Sequence, residues 1–322
     1  MLSDSTRTEV VLCRCCDGRF GVVFDVASWR SPEWKTYRYG ECADCRSLTL
    51  IDDVDPTPFY GHYSLHRPRP EAVPSRVRRC LGAVAERYLL PNTVLARTVP
   101  GLFGRPEWLS WVAGSGLDRR AGILDVGAGS GVLLGELSRW GFSDLAGIDT
   151  FVPKNLCIGW GIFVRAMALE DVERDDYGMV IFHHSLEHMD NPVEMLQLAR
   201  KRLSGEGRVV VAVPVAQGPV WEQYRDNWTA LDAPLHRFVP TVEGLRRLAE
   251  RAGLQLGRQY AMSPAHHLIG SELIARGARP VDAPLSVLSA RELQHLVGRA
   301  KALRTADECP QLSVVLKPLA SR

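Results

Sequence analysis

The sequence predicts an α/β protein with a doubly wound, mostly parallel sheet. From Ala121 onward, short apolar runs alternate with amphipathic segments, in the order expected for strands and helices. The apolar runs lack the polar–apolar alternation of a strand with one exposed face, so helices should cover both faces of the sheet. The first run, "GILDVG", leads through a glycine-rich turn into "GVLLGELSRWG". Ligands of such sheets bind beyond the carboxyl ends of the strands, so this turn is the first candidate for a binding site.

Five apolar runs predict five successive strands: "GILDVG", "LAGID", "GIFVRAM", "YGMVIFH" and "RVVVAVP". Between the last two, "NPVEMLQLARKRL" predicts a helix with Asn191 as its cap and Pro192 in its first turn. "QLSVVLKP" predicts the last strand. Residues 262–310, which include most of the segment before it, are expected to form a helical insert over one side of the site.

Two cysteine pairs near the start of the chain predict a metal site. Cys13 and Cys16 form one C-x2-C pair, and Cys42 and Cys45 form another. Two such pairs can offer four thiolates to a tetrahedral zinc ion with no open position, so the zinc would be structural. Cys15 could replace a neighbour as ligand, and a cluster of reduced thiols without metal is the alternative. Gly18 is expected to supply a positive φ at the first knuckle.

Composition limits the class of protein. The 322 residues, 46% of them hydrophobic and 24% charged, suffice for one large domain and a smaller one. The formal charge of +2 gives no field that favours nucleic acid or an anionic membrane. No apolar run reaches the about 18 residues of a membrane span, and the first residues lack the order of a signal peptide. We therefore expect a cytoplasmic protein without nucleic acid as partner, and leave its oligomeric state open.

Three parts are expected along the chain. Residues 1–60 form the zinc-binding module, residues 61–120 a helical linker or lid, and residues 121–322 the main domain. The linker carries a proline- and arginine-rich stretch over residues 67–79. Such a stretch beside a zinc module can contact nucleic acid. Because the whole chain is near neutral, we interpret it as a solvated connector that its prolines stiffen.

The glycine-rich turn does not fit a dinucleotide. The dinucleotide fingerprint G-x-G-x-x-G places its third glycine one residue later than Gly131. Asp125, two residues before Gly127, would be awkward beside a pyrophosphate and suits a positively charged ligand. An NAD-dependent oxidoreductase is therefore the less favoured interpretation.

The motif D-x-G-x-G-S-G resembles the first motif of class I S-adenosylmethionine (SAM) methyltransferases. Asp149 matches the acidic residue that holds the ribose hydroxyls in this family, and "ALEDV" matches the segment that flanks adenine. The resemblance implies a Rossmann-like sheet of seven strands and SAM as cofactor, with Asp125 near its ammonium group. The cofactor-binding residues implied are Asp125, Gly127, Ala128, Gly129, Gly131, Asp149, Leu169, Glu170 and His184.

The order of motifs over nearly the whole chain is similar to bacterial methyltransferases with an N-terminal zinc-binding segment. Many of these act in the biosynthesis of surface polysaccharides or antibiotics. The resemblance implies methyl transfer to a hydroxyl of a sugar, nucleotide sugar or glycan. The alternatives are an rRNA methyltransferase whose zinc module binds RNA, and an adaptor whose SAM domain has lost activity.

A hydroxyl acceptor must lose its proton, so a base near the sulfonium group is expected. The catalytic candidates are His236, His184, His188 and Glu187. We favour His236 as the base and His184 as the second choice, with Glu187 orienting one histidine. Trp221, Tyr224 and Trp228 precede His236 and could stack on a sugar face or close a pocket; packing against the insert is the alternative.

Overall fold

The computed structural model describes residues 11–60, 110–112, 115–159, 161–263, 265–283 and 285–319. Most of the expected linker, with its basic stretch over residues 67–79, lies outside the described residues. The described strands are β1 Phe20–Ala27, β2 Thr36–Cys42, β3 Leu48–Leu50, β4 Ile123–Val126, β5 Leu145–Ile148, β6 Leu156–Gly159, β7 Ile162–Arg165, β8 Tyr177–His183, β9 Leu203–Pro214, β10 Phe238–Val239, β11 Leu254–Met262 and β12 Gln311–Pro318. The described α-helices are α1 Thr57–Tyr60, α2 Val132–Arg139, α3 Pro192–Lys201, α4 Gly218–Tyr224, α5 Val242–Arg251, α6 Ala265–Ala275 and α7 Ala290–Ala302.

The large sheet has the strand order β11-β12-β9-β8-β4-β5-β7-β6. Four of its seven described pairings are parallel, and they join the central strands β9, β8, β4, β5 and β7. β12 runs antiparallel between β9 and β11. The mostly parallel α/β class is thereby confirmed. The sheet has eight strands where seven were expected, because Leu156–Gly159 adds an antiparallel edge to β7.

Residues that alternate along the central strands pack into two different hydrophobic clusters. The first cluster includes Leu124, Val180, Val211 and Leu316. The second includes Ile123, Ile181, Val210 and Val315. Both faces of the sheet are therefore buried, as the apolar runs without alternation predict. This burial fixes the carboxyl ends of β4, β5 and β8 at one edge, where the polar residues lie.

Two helices lie between β11 and β12, in the range of the expected insert. α7 begins with a capping box, in which the Ser289 hydroxyl accepts from Glu292 N and the Glu292 carboxylate accepts from Ser289 N. α6 and α7 contribute Leu268, Leu273 and Leu296 to a third hydrophobic cluster. None of the helices in the described part of the chain is long and apolar enough to span a membrane.

The N-terminal module forms a second, antiparallel sheet in the order β1-β2-β3-β10. Its fourth strand comes from the main domain, since Phe238 pairs with Thr49 and Val239 with Leu48. Thr241, just beyond β10, donates its hydroxyl hydrogen to the carbonyl of Cys45 (2.6 Å). The cysteine module is therefore hydrogen-bonded directly to the segment that follows His236.

Candidate functional site

The four predicted cysteines form one cluster. The sulfur atoms of Cys13, Cys16, Cys42 and Cys45 all lie within 4.8 Å of one another, and three of the pairs are 3.4–3.5 Å apart. A tetrahedral ion with Zn–S bonds of about 2.3 Å would need sulfur atoms about 3.8 Å apart, so the cluster is compatible with zinc. Burial and the neighbouring thiols raise the pKa of Cys16 to about 11.

The two knuckles share one backbone design. Asp17 N donates to the carbonyl of Cys13 (2.8 Å), and Arg46 N donates to that of Cys42 (3.1 Å). Asp17 and Arg46 each follow directly after the second cysteine of their pair. Both have a left-handed backbone conformation, with φ of 57° at Asp17 and 63° at Arg46. Each turn thereby aims two sulfur atoms at the same point.

Gly18 plays a different part from the one expected. The positive φ of the first knuckle lies at Asp17, and that prediction for Gly18 is wrong. A Cβ at Gly18 would lie 2.9 Å from the sulfur of Cys42, so glycine is required by space. Cys15 is buried outside the four-sulfur cluster, and its sulfur faces Gly244 of α5.

The turn after β4 holds three glycines with positive φ: Gly127 (75°), Gly129 (52°) and Gly131 (76°). A Cβ at Gly127 would lie 2.5 Å from that of Ser185, and one at Gly131 would meet Ile158 at 2.8 Å. Glycine at these two positions therefore lets neighbouring side chains pack closely against the turn. A Cβ at Gly129 would meet no atom of the described residues within 4 Å. Gly129 leaves room for a ligand to approach the backbone.

Asp125 lies in β4 just before the same turn. The residue is 2% exposed, and among the described residues its Oδ1 has no hydrogen-bond partner. Burial, followed by the nearby charge of Asp149, raises the pKa of Asp125 to about 7. An orphaned buried carboxyl oxygen of this kind fits a cationic group of a ligand.

Asp149 lies at the end of β5, directly beside the turn. Its Oδ2 accepts from Gly129 N (2.9 Å), and its Oδ1 accepts from Phe151 N (2.7 Å). Each carboxylate oxygen has a further lone pair, so the side chain can still accept from hydroxyls. With the open side of Gly129 and the orphaned Asp125, the residues present fit the ammonium and ribose groups of SAM.

The two residues expected beside adenine differ in exposure. Leu169 is buried in the first hydrophobic cluster, and Glu170 is exposed. The carbonyl of Glu170 accepts from the guanidinium of Arg202 (3.2 Å). Contact of either residue with adenine stays a prediction.

The catalytic candidates come together around Glu187, in the turn that follows β8. The Glu187 carboxylate is fully buried, and within the described ranges neither oxygen has a hydrogen-bond partner. His184 Nδ1 lies 3.5 Å and His236 Nε2 lies 4.0 Å from its Oε1. Burial raises the pKa of Glu187, but the three surrounding histidines outweigh it and lower the pKa to about 2.

His188 and His236 have the same tautomer, set by the backbone. Nδ1 of His188 donates to the carbonyl of Leu235 (3.0 Å), and Nδ1 of His236 donates to that of Ala230 (2.7 Å). Nε2 is therefore the atom of each ring that carries a lone pair when that ring is neutral. The rings meet edge to face, with centroids 4.7 Å apart. Burial and the charge of His236 lower the pKa of His188 to about 4, so it is neutral at pH 7.

His184 is more exposed than His236. Its side chain is 37% exposed, against 11% for His236. Its Nε2 accepts from the side-chain amide of Gln311 (2.8 Å), which leaves Nδ1–H facing Glu187. His184 has a positive φ of 55°, a conformation that few residues other than glycine adopt. Nothing in the sequence singled out Gln311, which lies 127 positions further along the chain.

The aromatic residues before His236 are in the core. Trp221, Tyr224 and Trp228 are at most 5% exposed and belong to the cluster that the insert helices share. The expectation that they stack on a sugar is corrected, because the described insert and module cover their faces. The alternative, packing against the insert, is what the structure shows.

The shifted pKa of Asp125 predicts a pH dependence of SAM binding. Between pH 3.8, the ordinary pKa of the carboxyl group, and about pH 7, the raised pKa, Asp125 keeps its proton in the folded protein and loses it in the unfolded chain. The unfolding free energy without ligand should therefore fall as pH rises through this range. Ionised Asp125 favours an ammonium group. SAM affinity should therefore rise from about pH 6 to about pH 7.5, below the about 7.7–8.0 at which an α-amino group loses its proton. Calorimetric titration of wild type and Asp125→Asn checks this; an equally steep rise in Asp125→Asn would contradict it.

Comparison with known proteins finds a family model that matches the turn and most strands of the large sheet. Residues 104–259, slightly less than half of the chain, match the family model of a methyltransferase domain. A curated relative, EEF1A lysine methyltransferase 2 of Danio rerio, is 46% identical over 41 residues, which cover 13% of this chain and 18% of that protein. The match thus spans less than a fifth of the relative's length.

Two solved structures are similar over most of the chain. The 1,6-didemethyltoxoflavin-N1-methyltransferase of Burkholderia thailandensis is 14% identical with a TM-score of 0.43, covering 86% of this chain and 97% of that one. A SAM-dependent methyltransferase from Archaeoglobus fulgidus is 16% identical with a TM-score of 0.41, covering 80% of this chain and 99% of that one. These distant likenesses do not identify an acceptor.

Proposed function

We propose, on the premise that the chain contains a class I SAM-dependent methyltransferase domain, that it transfers a methyl group to a hydroxyl of a small sugar-class acceptor, such as a nucleotide sugar or glycan unit. The observation that carries the proposal is that two groups of residues lie side by side, and each contains a buried carboxylate oxygen without a hydrogen-bond partner among the described residues. The two groups are neighbours, because Ser185, two residues before Glu187, donates its hydroxyl hydrogen to the carbonyl of Val126, which leads into the turn with Gly129 (2.6 Å). The sugar class rests on the resemblance to methyltransferases with an N-terminal zinc-binding segment.

Three residues in and beside the turn have separate roles in binding SAM. Asp125 holds the ammonium group, Asp149 holds the ribose hydroxyls, and Gly129 gives the ligand access to the backbone. SAM, when bound, supplies an electrophilic methyl group on a good leaving group. The remaining task of the protein is to position a hydroxyl, exclude water and remove one proton.

We assign the base to His184 and not to His236, the residue favoured from the sequence. His184 is the more exposed of the two, and Glu187 lies beside its Nδ1–H. Its Nε2 lone pair accepts from the Gln311 amide in this structure, and the acceptor hydroxyl would take the place of that donor. A carboxylate beside the distal nitrogen orients a histidine base and stabilises its protonated form. His236 is nearly buried and faces inward, toward Glu187 and Asp232.

The cysteine cluster is proposed to hold a structural Zn2+ through Cys13, Cys16, Cys42 and Cys45. Four sulfur ligands leave no open position for chemistry. The free thiols fit a reducing compartment such as the cytoplasm.

His184→Gln should lower methyl transfer about 10²- to 10⁴-fold, the range typical of a lost general base, and should lower SAM affinity by much less, because the cofactor contact implied for His184 is only one of several. The assay follows conversion of SAM to S-adenosylhomocysteine when the small-molecule fraction of a cell extract is added. His266→Gln, at an exposed histidine of the insert, is the matched control. Wild-type turnover of His184→Gln across the pH range would remove His184 from the role of base.

A further inference from the structure

We infer that Glu187, His188 and His236 form a second metal site, which takes a divalent transition-metal ion. One ligand atom of each residue lies within 4.8 Å of the others. Two imidazoles and one carboxylate are the set found in catalytic zinc sites and in non-haem iron sites. Three protein ligands leave at least one position open, in contrast to the four-cysteine cluster.

The state of Glu187 supports this assignment. A fully buried carboxylate whose two oxygens accept no hydrogen bond from the described residues is costly unless a cation meets it. Two arginines of the surrounding segments are paired with other carboxylates. Arg30 makes a bidentate pair with Asp232 (2.5 and 2.7 Å), and Arg237 binds Asp190 (2.7 Å). A metal ion would supply the missing positive charge.

The histidine tautomers are a further, independent observation. Histidines that ligate metals almost always donate their other ring N–H to a carbonyl, carboxylate or water, which fixes the ring and its free nitrogen. Here both Nδ1–H groups donate to backbone carbonyls, of Leu235 and Ala230. Both free Nε2 atoms thereby belong to rings that the backbone holds in place, and that of His236 faces Glu187.

A metal ion at this site would assist the proposed methyl transfer, but the site itself does not require that the protein is a methyltransferase. An acceptor hydroxyl bound at the open position would lose its proton more readily. This role rests on the proposed methyl transfer. Metal binding itself is measured with neither SAM nor acceptor present, so the failure of either proposal leaves the other standing.

The test uses Co2+ as probe on the full chain. The protein is first treated with Zn2+, and a chelator too weak to strip four thiolates removes the remainder, until metal analysis finds one zinc per chain at the four cysteines. Co2+ is then titrated by calorimetry and absorption spectroscopy. We expect one equivalent to bind without a sulfur-to-cobalt charge-transfer band, because the ligands are nitrogen and oxygen. No binding, or binding only with that band, would overturn the assignment.

Variants locate the site. Glu187→Gln and His236→Gln should each weaken Co2+ binding at least about tenfold, since loss of even an outer-shell partner costs 10–100-fold. His266→Gln should leave it unchanged and reports non-specific binding to surface histidines. Circular dichroism and one bound zinc per chain show that each variant is folded; if Glu187→Gln is not, His188→Gln takes its place. Unchanged affinity in the folded variants would refute the inference.

Discussion

Gly129→Val is expected to lower SAM affinity at least about a hundredfold, a loss of about 2.7 kcal/mol. A side chain at this position extends into space that the described residues leave open, where the ligand would approach the backbone. Valine at a φ of 52° is also strained, because the left-handed region costs roughly 1–2 kcal/mol for residues other than glycine. Calorimetric titration with SAM measures the loss.

The control for this variant is Gly135→Val. Gly135 lies in α2, six positions on, and a Cβ there also meets no atom of the described residues within 4 Å. The same side chain is thereby added outside the turn, and SAM affinity should stay within about twofold of wild type, since surface changes are usually worth less than 0.5 kcal/mol. Near-wild-type SAM binding by Gly129→Val would show that the ligand does not approach this turn.

Cys45→Ser is expected to release the bound zinc and unfold the N-terminal module. A structural zinc contributes about 10–16 kcal/mol to the folding of small zinc modules, so loss of one ligand should lower the unfolding free energy by several kcal/mol. The effect should reach the main domain, because β3 pairs with β10 and Thr241 binds the carbonyl of Cys45. Zinc analysis and thermal unfolding measure both effects.

Cys15→Ala is the companion variant. Cys15 is as buried as the ligands but lies outside their cluster, so its removal should leave one zinc per chain and a cost of about 1 kcal/mol for the small cavity. Full zinc retention by Cys45→Ser, or zinc loss by Cys15→Ala, would contradict the assignment of the four ligands.

Features encoded by residues close together in the chain were predictable. The spacing of Cys13, Cys16, Cys42 and Cys45 predicted their cluster because each knuckle is a local turn, and only the loop between the pairs had to close. The turn through Gly127 and Gly129 was predictable for the same reason. Continuous apolar runs predicted a sheet buried on both faces, because a strand with one exposed face would alternate.

Features set by distant packing were not predictable. The same aromatic pattern at Trp221 and Trp228 suits either a pocket wall or a core, and only the position of the insert decides between them. The pairing of β10 with β3 joins residues nearly 190 positions apart. The choice between His236 and His184 as the base depends on the exposure of the two side chains and on the contact with Gln311. Neither is indicated by the residues that surround the two histidines in the sequence.

Methyl transfer from SAM to a sugar hydroxyl is the function proposed for this chain. The most direct test incubates the protein with SAM carrying a deuterated methyl group and an extract of the source cells, separated into small molecules, polysaccharide, RNA and protein. Mass spectrometry then finds the labelled fraction and atom. We predict label on the oxygen of a nucleotide sugar or glycan, and much less of it with Gly129→Val at the same SAM concentration. Label on RNA or protein, or on nitrogen or carbon, would contradict the account.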